Sequence, residues 1–581
     1  MCGIGGIAFK PGAGAPPGML AALASALAHR GPDGSGMNVS PRAALVQTRL
    51  AIIDLATGDQ PLFAGERVLI GNGEIYNNRE LRAALPDARF RTGSDCEPPL
   101  HLLEREGADF ARSLRGMYAL AIDDAGAGRL VLARDPFGIK PLYLAETPLG
   151  LAFASEPQAL IAAGLAKPAL APGKIVELLQ LQFTTGAETA FEGIRRMAPG
   201  ATAIIRDGSV AETRHLDPIE PGQAPGDEDA ALAALDAVLA GAVEFHQRSD
   251  VPYGLFLSGG IDSAAILAMM ARLNDRPVQA FTAGFDVAGV ADEREAAAAM
   301  ARAVGARHER IHVTEAMMWR HLPEIVSCMD DPVADYAIIP SWFLAGCARQ
   351  SVKVVLSGEG GDEIFAGYGR YRAAARPFPF RREMRMRGAF EGLDVLRDTS
   401  RSWRGGIAAA GRAAAGTRLA RAQRADIAEW LPNDLLIKLD RCLMAHGVEG
   451  RTPFLDREMA RFAFALPDRL RARGRFGKIL LRQWLERHLP AARPFARKQG
   501  FDVPVGAWIA AQGGRLGPLV ARTPIVQEVA HPERVRALFA RAGDPRAGIA
   551  AWRLLFLALW HRRHVLGRRE SGETFDTLSD W

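Results

Sequence analysis

The sequence predicts two domains of different class: an α+β domain of short strands, then an α/β domain with a parallel sheet and a helical C-terminal part. Three observations carry this. First, 581 residues exceed what a single core serves. Second, the spacing of apolar residues changes along the chain. Up to about Leu216, short apolar runs are separated by Gly and Pro turns, whereas beyond Ala230 strand-like and helical runs alternate, the signature of βαβ units. Third, Asp217–Asp229 (DPIEPGQAPGDED) is rich in Pro, Gly and acid and poor in apolar residues. It reads as a linker over 217–229, between predicted domains at 2–216 and 230–581.

In the first domain, strands are expected at Gly5–Phe9, Ala44–Gln47, Val68–Gly71, Met117–Asp123, Leu130–Ala133 and Ala201–Arg206. One early helix, Met19–His29, is stopped by Arg30-Gly31-Pro32-Asp33-Gly34. In the second domain, a helix over Ala230–Gln247 leads to a strand at Tyr253–Leu257, the loop SGGIDS and a helix over Ala264–Leu273. A strand at Val278–Phe281, a helix over Glu293–Val304 and a strand at Lys353–Leu356 ending in SGEGGDE follow. The remainder, beyond about Gly369, reads as largely helical, with the Arg-rich stretch Arg372–Arg424 as helical decoration.

Composition removes several classes. Hydrophobic residues at 48% and charged residues at 24% describe a folded globular chain. A net charge of +5 is mild for this length, and a nucleic-acid surface would need a basic stripe interleaved with aromatics. The nearest candidate, Pro377–Gly388 (PFPFRREMRMRG), reads as a solvated face or loop. Five cysteines (Cys2, Cys96, Cys328, Cys347, Cys442) form no CxxC pair and no metal-ligand spacing, the usage of a reduced, cytoplasmic protein. The N-terminus lacks a signal-peptide pattern, and the apolar stretch Leu255–Met270 is broken by Ser258, Asp262 and Ser263, so no membrane partner is expected.

Cys2 carries the first chemistry. Once Met1 is removed, this residue holds a thiol and a free α-amine, a nucleophile with its own base. An unperturbed thiol titrates near ~8.5 and an α-amine near ~7.7–8.0, close enough for the proton to pass between them. Four groups suit an amide substrate beside it. Arg49, opening the run Arg49-Leu50-Ala51-Ile52-Ile53, can fork onto a carboxylate. Asn72 and the Gly73 N–H suit an oxyanion hole. Glu74 and Asp95 can hold an ammonium. Singly, these read as a surface ion pair, a hairpin turn and a helix cap; together they describe glutamine.

In the second domain, Ser258-Gly259-Gly260-Ile261-Asp262-Ser263 follows a strand and opens a helix, so backbone N–H groups and the helix dipole face an anion. Asp262 is placed to hold Mg²⁺ against phosphate oxygens. No GxxxxGK[ST] is present. The loop Ser357-Gly358-Glu359-Gly360-Gly361-Asp362-Glu363 repeats this layout after its own strand, which would set Asp362 opposite Asp262 at the sheet's carboxyl edge. Lys478, in GKILLRQWL, reads equally as a charge-neutralising group at a transferring phosphate and as a snorkelling surface lysine.

These motifs resemble those of glutamine-hydrolysing asparagine synthetases, in the class II amidotransferase family, over nearly the whole length. The resemblance rests on Cys2-Gly3-Ile4, HRGPDGSG (29–36), RLAIID (49–54), NGEIYN (72–77), TGSDCE (92–97), RDPFGIKPLY (134–143) and FASE (153–156). It continues through SGGIDS, FTAGF (281–285), SGEGGDE, VEGRTPFLD (448–456) and KQGFDVP (498–504). It implies an N-terminal-nucleophile α-β-β-α sandwich glutaminase joined to a Rossmann-like ATP-pyrophosphatase domain. Glutamine would yield ammonia at Cys2, and an internal tunnel would deliver it to an acyl-adenylate made from aspartate and Mg²⁺-ATP.

Carried over by position, Phe256 and Ala283 match the backbone sites that hold adenine. Ser258, Gly259, Gly260, Ser263, Ser357 and Gly358 match the nucleotide-binding loops. Glu359 matches the acid tied to adenylate formation, Asp262 and Asp362 the magnesium–pyrophosphate ligands, and Lys478 the phosphate-neutralising lysine. Relatives are often dimers. Gly450 and the Asp330-Asp331 pair depart from the family pattern in regions expected to shape the acceptor pocket. Two alternatives therefore stand beside asparagine synthesis: the same chemistry on a sugar, peptide or cell-surface precursor carboxylate, and a non-catalytic binding protein on this fold.

Overall fold

The computed structural model describes residues 2–220, 222–285, 293–377, 379–382, 384, 387–496 and 503–581. Lys498–Asp502 of the KQGFDVP motif, and Met1, whose removal the amine base requires, lie outside the described residues.

The first domain stacks two six-stranded antiparallel sheets. One runs Ile194–Arg196, Tyr143–Thr147, Gly150–Ala154, Gly3–Phe9, Ala43–Arg49 and Gly34–Val39. The other runs Ser209–His215, Ala201–Arg206, Arg129–Arg134, Gly116–Asp124, Arg67–Ile75 and Leu62–Ala64. Ile4, Leu45 and Phe153 of the first interdigitate with Ile70, Ala119, Leu132 and Ala203 of the second in one core. Helices cover the outer faces. Met19–Leu27 packs Leu23 and Leu27 on Ile7 and Val46, and Pro98–Glu106 packs Leu100 and Leu103 on Leu69 and Leu120. This is an α-β-β-α sandwich, in which Cys2 immediately precedes one inner strand and Asn72 lies in another.

The second domain opens with the Glu228–His246 helix, whose first turn is capped by the Asp227 carboxylate accepting the Ala230 N–H at 2.8 Å. Its five-stranded sheet is parallel throughout, in the order Arg307–His312, Gln279–Gly284, Tyr253–Phe256, Val354–Leu356, Glu449–Arg451. Parallel strands need crossovers, and the Ile261–Leu273 and Glu293–Ala303 helices supply two of them. The 20-residue helix Pro545–His564 is buried over most of its length near the C-terminus.

The Arg-rich stretch corrects one expectation. Among the described residues, helix there is confined to Gly369–Ala375, Gly405–Ala413 and Arg418–Ala428, with a short 3₁₀ turn at Ser402–Arg404. Ahead of that turn, residues 387–401 run as loop onto the first domain. There the Ala389 N–H donates to the Gln180 carbonyl and the Phe390 N–H to Gln180 Oε1, both at 3.1 Å. Buried Trp403 packs against Val176 and Phe183. The stretch is therefore an interdomain strap as much as decoration. No helix among the described residues is long and apolar enough to cross a membrane.

Candidate active sites

Cys2 is buried at the head of the Gly3–Phe9 strand, with its N–H donating to Asn72 Oδ1 at 3.1 Å. Asn72 is fully buried, and its Nδ2 has no hydrogen-bond partner among the described residues. A buried amide donor left unmatched beside a nucleophile is what an oxyanion requires and what a hairpin turn does not explain. Gly73 follows at φ 150°, where a side chain would run into the Met117 carbonyl. Burial pushes the Cys2 thiol up, opposed in part by a hydrogen bond from the Leu50 backbone.

Glu74 and Asp95 are both buried beside this centre, and the Asp95 carboxylate accepts the Ile75 N–H at 2.7 Å. Burial pushes Asp95 up to about 6. Burial and the neighbouring Asp95 also raise Glu74 well above the usual carboxylate range, while Arg451 holds it down from 3.2 Å. Arg49 is folded onto its own loop: it pairs with Asp59 at 2.7 Å and donates to the Asp54 carbonyl at 2.6 Å. Asp59 is 83% exposed, so an incoming carboxylate competes with a weakly held partner. In the rest of the run, Leu50 and Ile52 pack on Val354 and Met444 of the second domain, Ala51 N–H donates to Asp33, and the partly buried Ile53 joins the same contact.

Three residues absent from the expected set complete this site. Arg30, fully buried, donates from Nε to the Cys2 carbonyl at 3.2 Å. Glu449 and Arg451 arrive from the edge strand of the second domain, with Arg451 Nε 2.6 Å from Glu449. The motif VEGRTPFLD holds the signal, but its target lies some 375 residues upstream, a separation no local pattern reports.

At the carboxyl edge of the parallel sheet the two Gly-rich loops meet. Ser258 Oγ lies 3.0 Å from Ser263 Oγ and accepts the Gly260 N–H at 3.1 Å, while the Gly259 N–H donates to Glu293 at 3.2 Å. A Cβ on Gly358 would lie 2.9 Å from the Asp262 Cβ, and one on Gly361 2.5 Å from Asp262 Oδ1, so only glycine allows the loops this close. Lys478 is 3% exposed and bridges both acids: its Nζ bonds Asp262 and sits 2.8 Å from Asp362. Despite burial, these two carboxylates raise the ammonium. The snorkelling alternative is thus excluded. Lys478 also stands ahead of the Ile479–His488 helix rather than within it, at φ 57°.

A cavity of about 610 Å³ opens over Gly259, Gly260, Asp262, Asp362, Lys478 and Arg482. Phe256 and Ala283 lie at the carboxyl ends of neighbouring strands but do not line this cavity, and the Leu257 N–H donates to the Phe281 carbonyl at 2.9 Å. The Ser357 N–H donates to the Arg451 carbonyl at 2.8 Å, and Glu359 N–H faces Ser357 Oγ at 3.4 Å. Burial raises the Glu359 carboxyl, which lies 3.8 Å from Lys438. Asp262 and Asp362 fit Mg²⁺ in donor type and number. They are hard oxygens, and no third His, Cys, Asp or Glu joins them in a metal-binding group among the described residues. A Mg²⁺ that takes its remaining ligands from phosphate and water needs no more.

Three residues in the regions expected to shape the acceptor pocket are held by other partners. Asp331 is bound by Arg196 Nε at 2.7 Å and by the Tyr143 hydroxyl at 2.8 Å, both from the first domain. Asp330 pairs with Arg441 at 2.7 Å. Gly450 sits inside the edge strand, packed on Leu439 and Leu443. These residues are committed to packing and to the domain interface.

Two domains, one with an N-terminal cysteine in an amide-binding sandwich and one with paired Gly-rich loops on a parallel sheet, define a glutamine-fed, nucleotide-using class. Sequence comparison agrees: the glutamine amidotransferase domain model matches 1–216 and the asparagine synthase model matches 234–562. A Mycobacterium tuberculosis relative is 36% identical over 97% of both chains. The Bacillus subtilis protein named asparagine synthetase [glutamine-hydrolyzing] 1 is 30% identical over 93% of this chain and 92% of its own. Asparagine synthetase B of Escherichia coli is 29% identical, covering 84% and 79%. The chain belongs to the asparagine synthase family.

Proposed function

We propose that this protein makes asparagine from aspartate, glutamine and ATP, releasing glutamate, AMP and pyrophosphate in the cytoplasm. The Asp262–Lys478–Asp362 cluster over the cavity carries the reading, because an ammonium beside two acids that would hold Mg²⁺ suits a polyphosphate.

Once Met1 is gone, the Cys2 amine takes the thiol proton and the sulfur attacks the glutamine side-chain amide. Asn72 Nδ2 and the Gly73 N–H face the oxyanion, the proton passes to the departing ammonia, and water releases glutamate from the thioester. Glu74 and Asp95 hold the substrate ammonium and Arg49 its carboxylate. In the second domain, the backbone beside Phe256 and Ala283 seats the adenine, and Ser258, Gly259, Gly260, Ser263, Ser357 and Gly358 cradle the phosphates. Asp262 and Asp362 would hold Mg²⁺, which when bound neutralises pyrophosphate charge. Lys478 neutralises the phosphate as the aspartate carboxylate oxygen attacks the α-phosphorus, the bond to the β-phosphate breaks and pyrophosphate leaves, with Glu359 beside the reacting groups. Ammonia then attacks the acyl carbon and AMP leaves.

The test is pyrophosphate release with glutamine, Mg²⁺-ATP and a panel of carboxylates. Release that depends on aspartate is expected. Release that ignores aspartate but answers a sugar or peptide carboxylate would move the protein to the same chemistry on another acceptor.

A further inference from the structure

One buried helix, Leu436–Met444, lies between the two sites, and all nine of its residues are buried. Three of them are charged, Lys438, Asp440 and Arg441, and charged groups are not buried without partners. The partners lie at both active sites. Lys438 Nζ is 3.1 Å from Asp335 and 3.8 Å from Glu359, the acid beside the adenylate position. Asp440 accepts a two-pronged bond from Arg30, at 2.8 and 3.0 Å, and Arg30 Nε holds the Cys2 carbonyl at 3.2 Å.

Helix geometry makes this more than proximity. At 3.6 residues per turn, positions two apart point roughly 200° from one another. Lys438 and Asp440 therefore project to opposite sides of one rod, one toward carboxyl activation and one toward the nucleophile. Arg441 fixes the rod on a third side, with Nε at 2.7 Å from Asp330, and its Nη1 braces Asp440 at 2.8 Å. From Glu359 to the Cys2 carbonyl the chain of groups is Lys438, helix backbone, Asp440, Arg30. Only Glu359 among these is appreciably open, its side chain 26% exposed.

We propose that Asp440 is a positioning residue of the glutaminase centre, and that the Leu436–Met444 helix makes the geometry of Cys2 depend on occupancy of the carboxyl-activating site. An acceptor carboxylate arriving beside Glu359 adds a competitor for the Lys438 ammonium, already shared between Asp335 and Glu359. That competition is the differential interaction a population shift needs. A moved Lys438 turns the rod, and Asp440 transmits the turn to Arg30 and hence to the Cys2 carbonyl. The coupling rests on the function proposed above; the positioning of Cys2 by Asp440 does not.

The experiment measures glutamate release from glutamine alone and with Mg²⁺-ATP and aspartate, for the full-length protein and for Asp440→Asn. Ammonium-driven pyrophosphate release is followed in parallel. In the unaltered protein, aspartate with ATP is expected to raise glutaminase kcat by ~3-fold or more. Asp440→Asn should lose that response and ~10-fold of basal kcat, with glutamine KM and ammonium-driven synthesis held within ~2-fold. Asp440→Glu, which keeps the charge but displaces it by one methylene, should fold and fall between the two. An unaltered protein without stimulation, an Asp440→Asn protein that keeps it, parallel loss of both activities in Asp440→Asn, or an Asp440→Glu protein matching the unaltered one would each overturn the proposal. If the unaltered protein makes no pyrophosphate from ammonium and aspartate, the function proposed above fails instead. The basal kcat of Asp440→Asn still tests the positioning role.

Discussion

Arg451→Met is the sharpest single perturbation at the glutamine site. The Arg451 guanidinium is fully buried, 2.6 Å from Glu449 and 3.2 Å from Glu74, and donates to the His246 and Arg248 carbonyls at 3.0 and 2.6 Å. Methionine fills the space and removes the cation from two buried carboxylates. Breaking a buried pair this way costs roughly 3–5 kcal/mol. Unfolding entropy is about 2.1 cal/mol/K per residue, so for 581 residues ~4 kcal/mol lowers Tm by about 3 °C. The effect on glutamine binding is the easier one to read. Glu74 is already raised by burial and Asp95, and Arg451 is the cation holding it down. Without Arg451 it rises further, which weakens an ammonium contact worth about 1.5–3 kcal/mol, so glutamine KM rises ~10–100-fold. Raising the pH should recover part of this, since a raised carboxylate ionises only above its shifted pKa. The assay is glutamate release against glutamine concentration at several pH values, beside a thermal melt. An unchanged KM with an unchanged melt would refute the reasoning.

Other outcomes follow from the same geometry. Cys2→Ala should abolish glutamine-driven synthesis and leave ammonium-driven pyrophosphate release intact; equal loss from both nitrogen sources would argue against separate sites. Lys478→Met should stop pyrophosphate release with either nitrogen source while glutamate release continues, because only the Asp262–Asp362 clasp loses its cation. In the unaltered protein, glutamine KM should rise as pH falls through about 6, where Asp95 takes up a proton, and a flat KM across that range would contradict the ammonium role. Glu363 is fully buried, neither carboxylate oxygen has a hydrogen-bond partner among the described residues, and burial together with Asp362 and Glu359 pushes it up to about 8. The folded protein then holds a proton the unfolded chain lacks between the ordinary carboxylate value and about 8. Stability falls with pH across that window by about 1.4 kcal/mol per unit. Glu363→Gln should remove this slope, seen as a Tm gain over the unaltered protein that grows from pH 5 to about 8.

The elements that carry the chemistry are legible because their signals are local. Each Gly-rich loop follows an apolar run and precedes a helix, and Asn72-Gly73 sits in an apolar strand; one segment suffices to read each. Two strands of the parallel sheet have no such signal. Arg307–His312 (RHERIH) is an edge strand with a single apolar residue, the pattern that protects edges and hides strands. Glu449–Arg451 has two charges around a glycine, residue types depleted in sheets, and is a strand only through its pairing with Val354–Leu356. Asp330 and Asp331 read as acceptor-pocket residues because the sequence shows their neighbours and not their partners: Tyr143 and Arg196 lie 188 and 135 positions away from Asp331. Lys478 is readable as a lysine near glycine, but its φ of 57° and its two acids belong to the fold.

The domain interface is charged where an apolar one would have been simpler. Arg30, Glu156, Asp330, Asp331, Asp440 and Arg441 are all buried there. Stability does not account for them, since replacing a buried ion network by packed hydrophobic residues of similar volume is often neutral or stabilising. What an apolar contact lacks is direction. Leu50 against Met444 tolerates a small slide at little cost, whereas Arg30 meets Asp440 at 2.8 and 3.0 Å only in one relative orientation of its planar fork. On the function proposed above, ammonia made at Cys2 is useful only where an activated carboxyl group waits, so the two centres need a defined relation to one another. An interface that gives up some stability for orientation is what that requirement selects. The same argument explains why the charges crowd on Leu436–Met444, a buried helix whose side chains reach both Glu359 and the Arg30 that holds Cys2.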